Sequence, residues 1–223
     1  MANREDGAQS GPLSAFSLIA GLFLGLFIFV AVVAALIALN VLIRVGSTTY
    51  YTVSSDFYAF QIVAMLFLLG SGLTAAAAIS LWTWRAAANL QDWGIRGLTY
   101  SPAWAAAAYW IPGVNLVTPP KVMRELVNLS DGEIPELARQ TVGLVTAWWS
   151  CFVIGFLVHS LLTAVVALPF LTGIHVTNLP GANYALFCLG TLMLALAGFN
   201  MIKLITRINK AQRSTTQVGD TFA

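Results

Sequence analysis

From Ala15 to Ile43 the chain carries no Lys, Arg, Asp or Glu, and the stretches Phe57 to Trp84 and Val142 to Leu168 are equally free of them. A fourth run, Tyr184 to Ile205, is broken only by Lys203 near its end. A helix needs about 20 apolar residues to cross a hydrocarbon core about 30 Å thick, because nothing in lipid satisfies the backbone except the helix itself. Each run meets that length. The pattern therefore predicts an all-α integral membrane protein with four transmembrane helices. Only 9% of the 223 residues are charged, against 58% hydrophobic, and a soluble domain carries about 25% charged residues. So few charges cannot cover a water-facing surface, which makes lipid the solvent for most of the chain.

The predicted organisation is a disordered tail at 1–14, one membrane domain at 15–209 and a disordered tail at 210–223. The spans fall at about 15–43, 57–84, 142–168 and 184–205. The first run is too long for a cleaved secretory signal and reads as a retained span. Gly21 and Gly25 form a pair of small residues that would let another helix approach, although glycine is simply frequent in such helices.

Between the second and third spans the composition changes. Leu98 to Val117 is apolar and rich in Trp and Pro, yet Pro112-Gly113 interrupts it. About ten helical residues rise only about 15 Å, half of the hydrocarbon core. This segment is expected to be re-entrant or interfacial, with Trp104, Tyr109 and Trp110 at headgroup level. Thr118-Pro119-Pro120 reads as a helix start. The following turns, with Val122, Leu126 and Leu129 on one face, predict an amphipathic helix lying on the membrane surface.

Charge sets the orientation. Arg85, Arg96, Lys121, Arg124 and Arg139 lie between spans two and three; Lys203, Arg207, Lys210 and Arg213 lie at the end of span four and beyond; Arg4 lies in the first tail. Only Arg44 falls in the other two loops. Cytoplasmic loops collect Lys and Arg, so both termini and the Trp/Pro segment are expected on the cytoplasmic side. A fifth span over 102–117 would divide this pattern.

The pattern Trp82-x-Trp84-Arg85, Asn89-Leu90, Tyr100-Ser101-Pro102-x-Trp104, Trp110-Ile111-Pro112-x-x-Asn115-Leu116-x-x-Pro119 and Val122-Met123-Arg124-Glu125-Leu126 resembles a bacterial membrane-protein family, the domain-of-unknown-function 4328 family. Trp148-Trp149 and the closing Ile202-x-x-Ile205-Thr206-x-x-Asn209-x-x-Gln212 are similar too. The resemblance implies a multi-pass protein of the bacterial inner membrane and no particular activity.

The candidate interaction site comprises Trp82, Arg85, Asn89, Tyr100, Ser101, Pro102, Trp104, Trp110, Pro112, Asn115, Pro119, Met123, Arg124 and Glu125, joined by Lys203 and Arg207 from the end of span four. The basic stripe Asn200, Lys203, Arg207 and Lys210 serves insertion and lipid headgroups or, alternatively, an anionic ligand, with Glu125 near Arg85. His159 is an ionisable group inside the third span and a functional candidate on that ground; a neutral ring bonded to the next helix is the plainer reading. Cys151 and Cys188 sit at different depths and are expected to be free thiols. No nucleotide loop, zinc motif or nucleophile elbow is present. No cofactor is expected, and the sparse Lys/Arg exclude a nucleic-acid partner. The expected partners are membrane lipids, other membrane proteins or a second copy. Three functions remain: a non-enzymatic scaffold or subunit, an oligomeric small-solute channel or transporter, and a lipid-modifying or redox enzyme using His159 or the region of Arg85 and Arg207.

Overall fold

The computed structural model describes residues 13–45, 50–173 and 180–221. Its helices are α1 (Leu13–Val45), α2 (Tyr50–Asp92), α3 (Pro102–Ala107), α4 (Thr118–Ser130), α5 (Gly143–Thr172) and α6 (Pro180–Thr221), with 3-10 turns at Val114–Leu116 and Pro135–Leu137. There are no strands among the described residues. Four helices, α1, α2, α5 and α6, are long and apolar enough to cross a membrane. They expose large apolar side chains, among them Leu22, Phe29, Leu66, Phe67, Leu157 and Leu161. Apolar residues on every face are the mark of a helix solvated by lipid.

The chain folds as two compact units. One, here the four-helix unit, comprises the described residues within 24–74 and 147–200; the other, here the Trp/Pro unit, comprises those within 1–23, 75–146 and 201–223.

The core of the four-helix unit is made of small and aromatic residues: Ala31, Ala34 and Ala38 of α1, Phe57, Ala64 and Leu68 of α2, Leu162 of α5, and Tyr184 and Phe187 of α6. Phe57 meets Tyr184 edge-on with ring centres 4.8 Å apart, and Phe60 meets Phe187 at 5.0 Å. Association within lipid depends on such close packing, since no hydrophobic force acts between helices there. The glycine that permits it here belongs to α5 and not to the Gly21–Gly25 pair. Gly21 and Gly25 face open space. A Cβ at Gly155 would instead lie 2.7 Å from Leu194 Cγ and 2.9 Å from the Gly190 carbonyl oxygen. The carbonyl belongs to the α6 backbone and cannot rotate away, so α5 and α6 would have to separate. Gly155→Ala is expected to lower stability by about 1–3 kcal/mol, the usual range for overpacking, in thermal unfolding of the protein in lipid nanodiscs. Gly25→Ala should leave the midpoint unchanged, and equal effects would contradict this assignment. Cys151 and Cys188 are free and half-buried.

In the Trp/Pro unit, three sequence expectations change. Helix α4 has the expected amphipathic pattern, but its residues are buried within the unit on nearly every side, with Lys121 exposed and Arg124 half-buried. Its polar residues Glu125, Asn128 and Ser130 are buried in hydrogen bonds within the unit instead of facing water. The segment expected to be disordered from 210 continues α6 to Thr221, and Gln212 is buried. Helices α2 and α6 also exceed their predicted spans, with α2 starting at Tyr50 and ending at Asp92. The Trp/Pro segment contributes the six-residue α3, which rises about 9 Å and is far too short to cross, and the 3-10 turn Val114–Leu116. Residues 1–12 of the N-terminal tail and the loop holding His175 lie outside the described residues.

Candidate interaction site

Helix α2 supplies the frame. Trp82, Ala86 and Asn89 recur at helical spacing and are all buried. Trp82 donates its indole N–H to Asn209 Oδ1 at 3.1 Å, and Asn89 donates to Gln212 Oε1 at 3.1 Å. Gln212 in turn donates to the Ala86 carbonyl and to Ser130 Oγ, both at 3.1 Å. One buried amide therefore ties α2, α4 and α6 together. Arg85, on another side of α2, is half-buried, and its Nε meets no partner among the described residues; the same holds for Arg124 Nε on α4.

The Tyr100-Ser101-Pro102-x-Trp104 motif is a helix start. Ser101 is extended, and its hydroxyl accepts from the Trp104 N–H at 3.3 Å. Pro102 occupies the first turn, where a missing N–H leaves no bond unmade. The break at Pro112-Gly113 places Gly113 at φ 81°, a conformation that favours glycine. Asn115 then donates its backbone N–H to the Ile111 carbonyl, and Pro119 is buried in the first turn of α4.

Two side chains hold this segment against α2. Trp110 donates its indole N–H to Ser80 Oγ at 3.0 Å, and the Tyr109 hydroxyl shares a 3.4 Å hydrogen bond with Thr83. Burial of that hydroxyl pushes the Tyr109 pKa well above the usual phenol range, with the Thr83 bond opposing the shift. So anchored, the segment leaves Trp104 44%, Trp110 48%, Leu116 44% and Val117 52% exposed. Pro112 is exposed as well.

Glu125 turns to Thr99 and Arg139 instead of Arg85. The residue is 2% exposed, and its carboxylate accepts from the Thr99 backbone N–H at 3.0 Å and from the Thr99 hydroxyl and lies 3.5 Å from Arg139 Nε. Arg139 also donates to Thr99 Oγ1 at 2.9 Å. Asn128 donates to the carbonyls of Ala138 and Gln140, both at 3.0 Å, fastening the chain that follows α4. Thr99, Asn128 and Arg139 were missed in the sequence. Met123 is wholly buried.

At the end of α6, Lys203 and Arg207 are exposed. Arg207 donates twice to Asp131 Oδ2, at 2.6 and 3.1 Å, beside an open cleft of about 410 Å³ lined by Ser130, Asp131, Arg207, Lys210 and Ser214. His159 belongs to the four-helix unit and not to this set; its Nε2 is 3.2 Å from Thr191 Oγ1. No three His, Cys, Asp or Glu side chains gather into a metal-holding group among the described residues.

The predicted residues thus separate by environment. Trp82, Asn89, Pro119, Met123 and Glu125 build the Trp/Pro unit, while Trp104, Trp110 and Pro112 are presented outward by it. Residues 46–210, well over half of the chain, match the model of a family described as Domain of unknown function (DUF4328). No curated protein and no solved structure matches the chain.

Proposed function

The chain belongs to the DUF4328 family, and on that premise we propose that it is a non-enzymatic, multi-pass module of the bacterial inner membrane whose Trp/Pro segment seats in the lipid of one leaflet. Both termini and the Trp/Pro segment lie on the cytoplasmic side in this reading. The observation that carries it is the exposure of Trp104, Trp110, Leu116 and Val117 on a segment pinned to α2 at Ser80 and Thr83. Aromatic residues with a polar handle and an apolar body favour the headgroup boundary. The Trp110 indole N–H is already satisfied within the protein, so its ring can enter lipid without leaving a donor unpaired. The Lys and Arg that follow the spans add attraction to an anionic leaflet.

The test uses single cysteines at Ala103, Leu116 and Glu133, with Cys151 and Cys188 replaced by Ser. Nitroxides at 103 and 116 are expected to be relaxed strongly by oxygen, which concentrates in lipid, and weakly by a water-soluble nickel chelate. A nitroxide at 133 should show the reverse, and its cysteine should resist an impermeant thiol reagent added outside intact cells. Aqueous behaviour at 103 and 116 would remove the lipid reading. Protection from both relaxants would replace it with a protein partner.

A further inference from the structure

The four-helix unit contains polar groups with no role in the lipid-seating segment. Gln61 of α2 is 2% exposed, and neither its amide oxygen nor its amide nitrogen has a hydrogen-bond partner among the described residues. It belongs to the same stripe of α2 as Phe57, Ala64 and Leu68, which all enter the core. His159 of α5 is 4% exposed, and its Nδ1 is likewise unpartnered. In lipid no bulk solvent can make good such groups, so an orphaned amide carries a larger penalty than in a soluble core.

The two residues lie at one depth. The ring pairs Phe57–Tyr184 and Phe60–Phe187 share a single sequence offset, so α2 and α6 run in register and Gln61 falls level with Cys188. His159 reaches that level from α5, since its ring packs edge-on against Phe187 with centres 5.0 Å apart and its Nε2 meets Thr191. The level is therefore within about one helical turn on all three helices.

The hydrogen bonds also assign the ring. Thr191 has one hydroxyl proton and donates it to the Phe187 carbonyl at 2.7 Å. In its contact with His159 it must then accept, which puts a proton on Nε2. The neutral ring consequently presents Nδ1 as a bare acceptor. Gln61 offers a two-proton donor and an acceptor. The set carries no formal charge and neither an oxygen cage for a cation nor a cationic group for an anion. It suits a small uncharged molecule that both donates and accepts, and three polar atoms are within the two to four that a buried water requires.

We propose that the four-helix unit holds a small neutral hydrogen-bonding ligand, water in its simplest form, bridging Gln61 and His159. The molecule donates to Nδ1 and accepts from the Gln61 amide. This site is independent of the lipid-seating segment, because it rests on residues of the four-helix unit alone.

The test is a stability cycle in nanodiscs with Gln61→Leu, His159→Phe and the double variant, alongside water-edited solid-state NMR of histidine nitrogens in a His175→Asn background. Each single variant is expected to lower the unfolding midpoint, and the double variant should fall no further than the worse single. Water magnetisation should reach His159 Nδ1, and Gln61→Leu should abolish that transfer. A rise in midpoint on Gln61→Leu, or additive losses, would show that the two groups share no ligand. Non-additive losses without water transfer would mean a direct amide–imidazole bond and would overturn the proposal equally.

Discussion

Trp82→Ala is expected to loosen the Trp/Pro unit while Trp84→Ala, two residues further along the same helix, leaves it intact. Trp82 is wholly buried and Trp84 is 39% exposed. Removing a buried Trp side chain takes away its burial and leaves a cavity that neighbours fill only in part, roughly 3–5 kcal/mol in total. The lost indole also strands Asn209 Oδ1, its acceptor on α6. Because the damage falls on the contact between α2 and α6, it should appear first as local opening. Amides of α6 between Met201 and Gln212 are expected to exchange on the order of a hundredfold faster, the factor that about 3 kcal/mol implies when exchange follows the opening equilibrium. Trp82→Phe keeps much of the volume and removes mainly the hydrogen bond, so a smaller loss of about 1–2 kcal/mol is expected. Comparable effects at 82 and 84 would undo the division of the tryptophans into those that build the unit and those that face outward.

That division was only partly legible in the sequence. The four long apolar helices were readable because charge is so costly in lipid that a run of about 20 residues without it marks a membrane span. The start at Ser101-Pro102 and the break at Pro112-Gly113 were readable because each depends on local chemistry, a hydroxyl cap and a positive φ. The partners of Glu125 were not, because Thr99 and Arg139 lie far from it in sequence and neither belongs to a local pattern. Helix α4 misled for a related reason. Its alternation of polar and apolar residues is the same whether the polar side faces water or, as with Asn128, a row of carbonyls from its own chain. Gln61 escaped notice because one amide barely alters the hydropathy of a long apolar run. The continuation of α6 could have been found: Met201, Leu204, Ile205, Ile208 and Gln212 keep helical spacing and are all buried, beneath a Ser/Thr-rich composition that reads as disorder.

Glu125→Ala is expected to release the chain that leads into α3. The carboxylate is the acceptor for both the backbone N–H and the hydroxyl of Thr99, and hydrogen bonds to charged groups are the stronger kind. Losing both implies a loss of roughly 1–3 kcal/mol, since Thr99 is exposed and water replaces part of what the carboxylate supplied. The Arg139 contribution is small by comparison, since its side chain is 75% exposed and solvent screens the pair. Arg139→Ala should therefore change stability by less than about 1 kcal/mol, and Glu125→Gln, which keeps an acceptor in place, should fall between the two. The consequence reaches the exposed aromatic segment. Thr99 is two residues from Ser101, whose cap starts α3 and fixes where Trp104 and Trp110 are held. Amides from Ile95 to Tyr100 should lose protection in Glu125→Ala, and a nitroxide at Ala103 should become more mobile and more accessible to the nickel chelate. If Arg139→Ala matched it, the exposed ion pair would be the fastening and the bonds to Thr99 incidental. If neither variant altered the label at 103, the placement of the tryptophans would depend on Ser80 and Thr83 alone.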